Sequence, residues 1–319
     1  MHDENGGVFI LSLEIIAWAN DVLRRASPPK LEQGIEHLPA AFIVGPPRSG
    51  TTILHQILAS RLRVGYVDNI VARFWECPFV GIAISNDIFS EEDRNYSTYG
   101  SKFGRTHHPQ EPSEFGFFWT YWFGFQKDLP HTLSPQRREK VDIMGLRASM
   151  QTMQSAFGLP MLFKNVTCGL QADLVRAAYP NCFFIALERD LFDISRSILA
   201  ARRSIGGSFG DWFSVRPRTW PDAVPKGGPA DEVAWQVTET VRELRHALRT
   251  VDHIVVRYED ILSDPEAIVD RVAEAYATHG SPVARRSGEP LGPMRRKEPA
   301  VLPDALLDNL ADRLDYYVG

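Results

Sequence analysis

Cysteine is scarce in this chain. Its 319 residues include three, Cys77, Cys168 and Cys182. An odd number at such wide spacing supplies neither a disulfide framework nor a metal knuckle. Idle, buried thiols in a reducing compartment are the expectation. A basic excess is lacking too: the formal net charge is −5, which argues against a general nucleic-acid binder. Long hydrophobic runs are missing, since no stretch reaches the roughly 18 apolar residues of a membrane-spanning helix. The opening residues, MHDENGGVFILSLEIIAWAN, start acidic, and a glutamate breaks their apolar run. A secretory signal has a basic start and a cleaner core, so a cytoplasmic location is expected. Internal repeats and low-complexity tracts are absent.

What is present describes an ordinary globular chain, 44% apolar and 24% charged. Its length suits one large α/β domain or at most two compact ones. Residues 9–25 read as an amphipathic helix packed on the domain, with a membrane-surface helix as the other reading. A polar, proline-marked connector follows at 27–39. The expected organisation is residues 1–39 as helix and connector, then 40–319 as a single domain with inserted loops at 85–115 and 204–230.

Apolar strands and amphipathic helices alternate along the rest. AAFIVG (40–45) reads as a buried strand entering a loop, and Ile53, Leu54, Ile57, Leu58 and Leu62 then recur at helical spacing. MLFKNVT (161–167) and CFFIALER (182–189) read as further strands, and HIVVRYEDI (253–261) as another strand entering a turn. Helices are expected over 170–178, 193–203 and 231–250. This is the pattern of a P-loop-type, three-layer α/β fold with a central parallel sheet flanked by helices. Two long stretches, 204–230 and 280–300, lack periodicity. The first is long enough to be a lid, and the second carries a basic cluster.

The loop Gly45-Pro46-Pro47-Arg48-Ser49-Gly50-Thr51-Thr52 lies between the first strand and its helix. A phosphate-binding loop reads G-x-x-x-x-G-K-[ST] in that context. Gly45 and Gly50 keep the spacing and Thr52 the hydroxyl, but Thr51 stands where the lysine belongs. The anion cradle survives that change, because backbone N–H groups and the helix dipole still converge on a negative charge. Arg48 supplies a cation from the other side of the loop, with the planar fork that suits oxyanions.

At these residues a resemblance becomes specific. PRSGTT after a buried strand resembles the 5′-phosphosulfate loop of sulfotransferases that use 3′-phosphoadenosine 5′-phosphosulfate (PAPS), in the branch carrying Arg rather than Lys. Arg189 at the end of the 182–189 strand, with Ser197 eight residues on, is similar to the family's 3′-phosphate signature. The family's usual Arg-Asp-Pro or Arg-Asn-Pro reads Arg189-Asp190-Leu191 here. Lys164 resembles the lysine beside the transferring sulfate. Tyr258 falls in a segment resembling the family's R-Y-E-D strand end. Arg295, Arg296 and Lys297 resemble the basic loop that closes over the 3′-phosphate, although the usual R-K-G is not reproduced.

The resemblance implies a PAPS-dependent sulfotransferase that releases adenosine 3′,5′-bisphosphate and needs no metal. Pro47, Arg48, Ser49, Gly50, Thr51, Thr52, Arg189, Ser197, Tyr258, Arg295, Arg296 and Lys297 would hold the nucleotide. The acceptor is expected to bear a hydroxyl, on a carbohydrate or glycolipid, and to require a base. THHPQEPSEFGFFW (106–119) resembles the family's P-x-E-F segments. Its Glu111 and Glu114 are the first candidates for that base, then His107 and His108, with Asp68 and Glu76 also open. Eight aromatics in the eleven residues 115–125 read as a buried helix, an acceptor pocket, or both. Two other functions stay in view: a P-loop kinase, which would need the missing lysine and a Walker-B aspartate, and a non-catalytic nucleotide-binding protein.

Overall fold

Residues 12–28 and 38–318 are described by the computed structural model. In chain order its elements are α1 (Leu13–Ala26), β1 (Ala40–Val44), α2 (Thr51–Arg61), β2 (Gly65–Tyr66), α3 (Pro78–Ile88), α4 (Gly116–Phe123), α5 (Pro135–Arg138) and α6 (Ile143–Phe157). Then come β3 (Met161–Lys164), α7 (Ala172–Ala178), β4 (Cys182–Glu188), α8 (Leu191–Ile205), α9 (Pro229–Leu248), β5 (His253–Arg257), α10 (Tyr258–Ser263), α11 (Pro265–Thr278) and α12 (Asp304–Val318). Residues 9–11 of the expected first helix and 29–37 of the connector lie outside the described residues.

The five strands form one parallel sheet in the order β2-β3-β1-β4-β5. Both faces of β1 are buried, which is why its sequence is continuously apolar rather than alternating. Phe42 and Val44 point into a core shared with Trp119 and Phe123 of α4, Met150 of α6 and Leu244 of α9. Ala41 and Ile43 point the other way, against Leu54, Ile57 and Leu58 of α2 and Val272 of α11. The Phe42 ring stacks between Phe163 at 5.1 Å and Phe184 at 5.4 Å. Burying each such ring contributes about 1.5–3 kcal/mol. A third cluster, built on Ile194, Ile198, Val233, Val237 and Leu310, joins α8, α9 and α12.

The parallel registers level the strand ends at one edge. Ile43 lies beside Lys164 and Ile185, and Glu188 lies beside Arg257. The loops after β1, β3, β4 and β5 therefore gather at the carboxyl edge, where open parallel sheets carry their ligand sites. In the 253–261 segment the strand ends at Arg257, and the expected turn is the first turn of a short helix from Tyr258. No helix among the described residues is long and apolar enough to cross a membrane.

Candidate active site

Backbone groups open the site. Aspartates cap α6, α8 and α11 through Asp142, Asp190 and Asp264. α2 differs: its N-cap is Gly50, with no side-chain cap and no acid in the first turn. The first N–H groups of α2 therefore stay available to an external acceptor. Gly50 is held at φ 103°, a left-handed conformation that L side chains rarely adopt. Any Cβ there would also run into the Tyr258 ring. Arg48 is left-handed as well, at φ 70°, which costs a non-glycine residue about 1–2 kcal/mol. The turn at Arg48 aims its side chain across the loop mouth.

The cations gather above this loop. Arg48 Nε donates to Ser197 Oγ at 3.0 Å. Arg189 Nη1 donates to the Arg48 carbonyl at 2.9 Å, and its guanidinium lies 4.2 Å from the Tyr258 ring centroid. Burial lowers both guanidinium groups, and the charge of Arg189 lowers Arg48 further. Beside these two like charges, the buried Ser49 Oγ and Arg189 Nε have no partner. Orphaned donors beside paired cations and an uncapped helix fit a phosphate-bearing nucleotide. Arg296 approaches from the C-terminal stretch by pairing with Asp193. That carboxylate also lies 3.9 Å from Arg189. Arg295 and Lys297 flank it in exposed chain.

Lys164 ends β3 almost fully buried, at 2% exposure. Its Nζ donates to Thr52 Oγ1 at 3.1 Å and to Glu114 Oε1. Burial, then the charge of Arg48, pulls the ammonium down to about 7, while the touching Glu114 carboxylate opposes that shift. The Glu114 side chain is 38% exposed, so its second oxygen is reachable from solvent. Asn165 Nδ2 holds the Glu114 carbonyl at 3.2 Å, and Glu114 Oε1 lies 3.4 Å from where a Cβ on Gly104 would stand.

Glu111 sits elsewhere. It is fully buried and accepts from Gln56, Ser97, Thr98 and the backbone N–H groups of His107 and His108. Burial works against its charge, but these donors prevail and hold the carboxyl down to about 2. In that cage it ties residues 97–98 and 107–108 to Gln56 of α2. His107 and His108 are exposed, and His108 meets Tyr96 edge-on. Asp68 is buried against Ser85 and Arg94. Glu76 pairs with Arg24 of α1. Of the six base candidates, the fold brings Glu114 alone to Lys164 and Thr52.

Three neighbours escaped the sequence reading. Asn165 orders the turn after β3, accepting from Thr167 and Cys168 while it holds Glu114. Gly104 takes φ 89° at the mouth. Phe103 lies 5.8 Å under the Arg48 guanidinium. The glycine in Phe103-Gly104-Arg105 was a turn signal; nothing local marked the other two. The aromatic run became α4, with Phe118 and Trp119 buried and Phe117 and Tyr121 exposed. It is a core helix whose outer face carries exposed rings, with Phe117 lying 4.9 Å from Trp75.

A family model described as the sulfotransferase family matches residues 39–278. Among solved structures, sulfotransferase STF1 of Mycobacterium tuberculosis H37Rv is 14% identical with a TM-score of 0.49, over 83% of this chain and 72% of that one. STF9 of Mycobacterium avium is 14% identical at 0.45, over 94% and 72%. The sulfotransferase domain of the Synechococcus PCC 7002 olefin synthase is 14% identical at 0.43, over 91% and 99%. No curated protein matches the chain.

Proposed function

The chain belongs to the sulfotransferase family, and from that premise we propose that it transfers the sulfuryl group of PAPS to a hydroxyl on a carbohydrate or glycolipid. One observation carries the reading. Lys164 Nζ bridges a hydroxyl of the phosphate loop, Thr52, and a reachable carboxylate, Glu114. A cation there stands between the leaving oxygen and the acceptor.

PAPS supplies an activated sulfuryl group whose bond to the bridging phosphate oxygen breaks on transfer. Glu114 takes the acceptor proton as the new oxygen–sulfur bond forms. Negative charge then grows on the nucleotide side. In this reading Arg48, Thr51, Thr52, the α2 N-terminus and Lys164 receive it, in a largely buried setting where such contacts act strongly. The transfer, like phosphoryl transfer, is then mostly positioning and charge stabilisation. Ser197, Arg189, Tyr258 and Arg296, with Arg295 and Lys297 beside them, take the 3′-phosphate end in this reading.

A sugar acceptor is supported by the exposed Phe117 and Tyr121 rings of α4, since aromatic faces pack well on sugar C–H groups. Three free, buried cysteines support a cytoplasmic location. The catalytic unit is read as residues 40–319, with α1 as its accessory.

A thermal shift tests the reading. Adenosine 3′,5′-bisphosphate at about 100 times its Kd should add about 2.7 kcal/mol of stability, and ATP with Mg²⁺ should add none. Turnover with PAPS and a sugar panel should persist in excess EDTA. A shift with ATP–Mg²⁺ alone overturns the reading in favour of a phosphotransferase. A bisphosphate shift with no turnover on any hydroxyl favours nucleotide binding without catalysis.

A further inference from the structure

Helix α1 is anchored along one face and, among the described residues, exposes apolar side chains along the other. On the inner face, Ile16 enters the main core. Asn20 Nδ2 donates to the Arg73 carbonyl at 2.8 Å, and its Oδ1 accepts from the Glu76 N–H at 2.9 Å. Arg24 Nε donates to Glu76 Oε2 at 2.7 Å. With that face fixed, helical spacing turns Ile15, Trp18 and Val22 outward. They stand 48%, 67% and 44% exposed. Scattered apolar residues on a surface need no explanation, but an apolar stripe on a rigidly held helix marks a contact surface.

The charges beside the stripe select its occupant. Glu14 borders one end and Arg25 the other, with Asp21 between them bound to Arg25. The two acids of α1, Glu14 and Asp21, balance its two arginines, Arg24 and Arg25. Helices that lie on anionic lipid carry a Lys and Arg excess on the polar face, and α1 has none. A second copy of the same helix, running antiparallel, matches instead. Ile15 then meets the partner's Val22, the two Trp18 rings meet near the centre, and each Glu14 approaches the partner's Arg25.

We propose that the outer face of α1 is a twofold, self-complementary interface between two copies of this chain. A single pair of 14-residue helices buries less than the standard interface of about 1,600 Å², so the association is concentration-dependent.

Sedimentation velocity over a concentration series tests this on the full chain. The mass should rise from one chain toward two. Trp18→Glu should hold the mass at one chain and, at concentrations where the native chain is also one chain, leave the melting midpoint and the shift by adenosine 3′,5′-bisphosphate unchanged, because Trp18 is 67% exposed. Glu14→Arg and Arg25→Glu should each weaken association at least about tenfold, and the double variant should restore it. A chain still monomeric at about 1 mM, the weak end of specific affinities, overturns the proposal. So does a dimer that survives Trp18→Glu, or a double variant that stays dissociated. Co-flotation with phosphatidylcholine–phosphatidylglycerol vesicles, lost in Trp18→Glu, would also overturn it and assign the face to a membrane surface.

Discussion

Arg48 Nε donates to Ser197 Oγ at 3.0 Å, joining positions 149 residues apart in sequence. Arg189 closes the circuit by donating to the Arg48 carbonyl. The loop after β1 and the start of α8 are thus linked through the groups assigned to the two ends of the nucleotide. Replacing Arg48 or Arg189 with Ala should lower kcat by about 100- to 1,000-fold, the usual cost of losing one charge-stabilising donor. Melting midpoints should hardly move, because each change also removes a desolvated charge that its neighbour repels. Wild-type turnover in either variant would remove that residue from the site.

Glu114 and Glu111 should separate cleanly. Glu114→Gln keeps the shape and the nucleotide-induced thermal shift but loses the base, so kcat should fall by at least about 100-fold. Glu111→Gln exchanges a charged acceptor for an amide inside a cage of donors. Leaving such donors unsatisfied costs about 1–3 kcal/mol each, so its signature is a lower melting temperature. The native Glu111 carboxyl sits near 2, below its ordinary value. Its contribution is therefore present above the ordinary carboxylate range and lost as pH falls toward about 2. Acid unfolding of Glu111→Gln should lack that component.

We expect Lys164 to set the alkaline limb. It carries its positive charge only when protonated, and its folded value lies near 7 rather than at the lysine norm. We expect kcat/KM to fall as pH rises from about 7 toward the ordinary lysine range, with Glu114 pushing the midpoint upward. Bound nucleotide adds negative charge, so the limb in kcat should lie at higher pH than the limb in kcat/KM. The stability sign also follows. Between the folded and unfolded values the unfolded chain binds the extra proton, so folding stability gains from this site as pH rises. Urea titrations at pH 7 and 9 should show the gain in the native chain and not in Lys164→Met. Equal pH slopes would exclude a depressed lysine.

Gly50→Ala should abolish nucleotide binding. The added methyl meets the Tyr258 ring, and the left-handed backbone penalises any Cβ. Tyr258→Ala should relieve the clash alone, so the double variant should regain part of its thermal stability without regaining tight nucleotide binding. Full recovery of binding would show that the ring, and not the loop conformation, is what Gly50 protects.

The fold was legible because its signals are local. AAFIV and CFFIALE are apolar on both pleated faces, so they read as central parallel strands, and helical spacing placed α2, α8 and α9. The helices α3, α6, α11 and α12 were not read from the sequence. Their buried faces are set by partners far away in the chain, such as Met150 of α6 under the sheet.

The sequence by itself determined the strand, turn and helix around Gly45 and Gly50, because a Gly-x-x-x-x-Gly turn between an apolar strand and helical spacing is a local signal. It also determined that Arg189 would stand at the carboxyl edge, because that edge follows from strand direction. It left six base candidates open, because a carboxylate's role depends on what surrounds it and not on its neighbours in sequence. Tertiary structure separates their surroundings. The registry of β1 with β3 places Lys164 beside the loop, and the turn into α4 brings Glu114 to it. The folding of residues 97–111 onto α2 encloses Glu111 in donors. Two glutamates three positions apart were equivalent as letters, and burial and hydrogen bonding made one a structural pin and the other the reachable carboxylate.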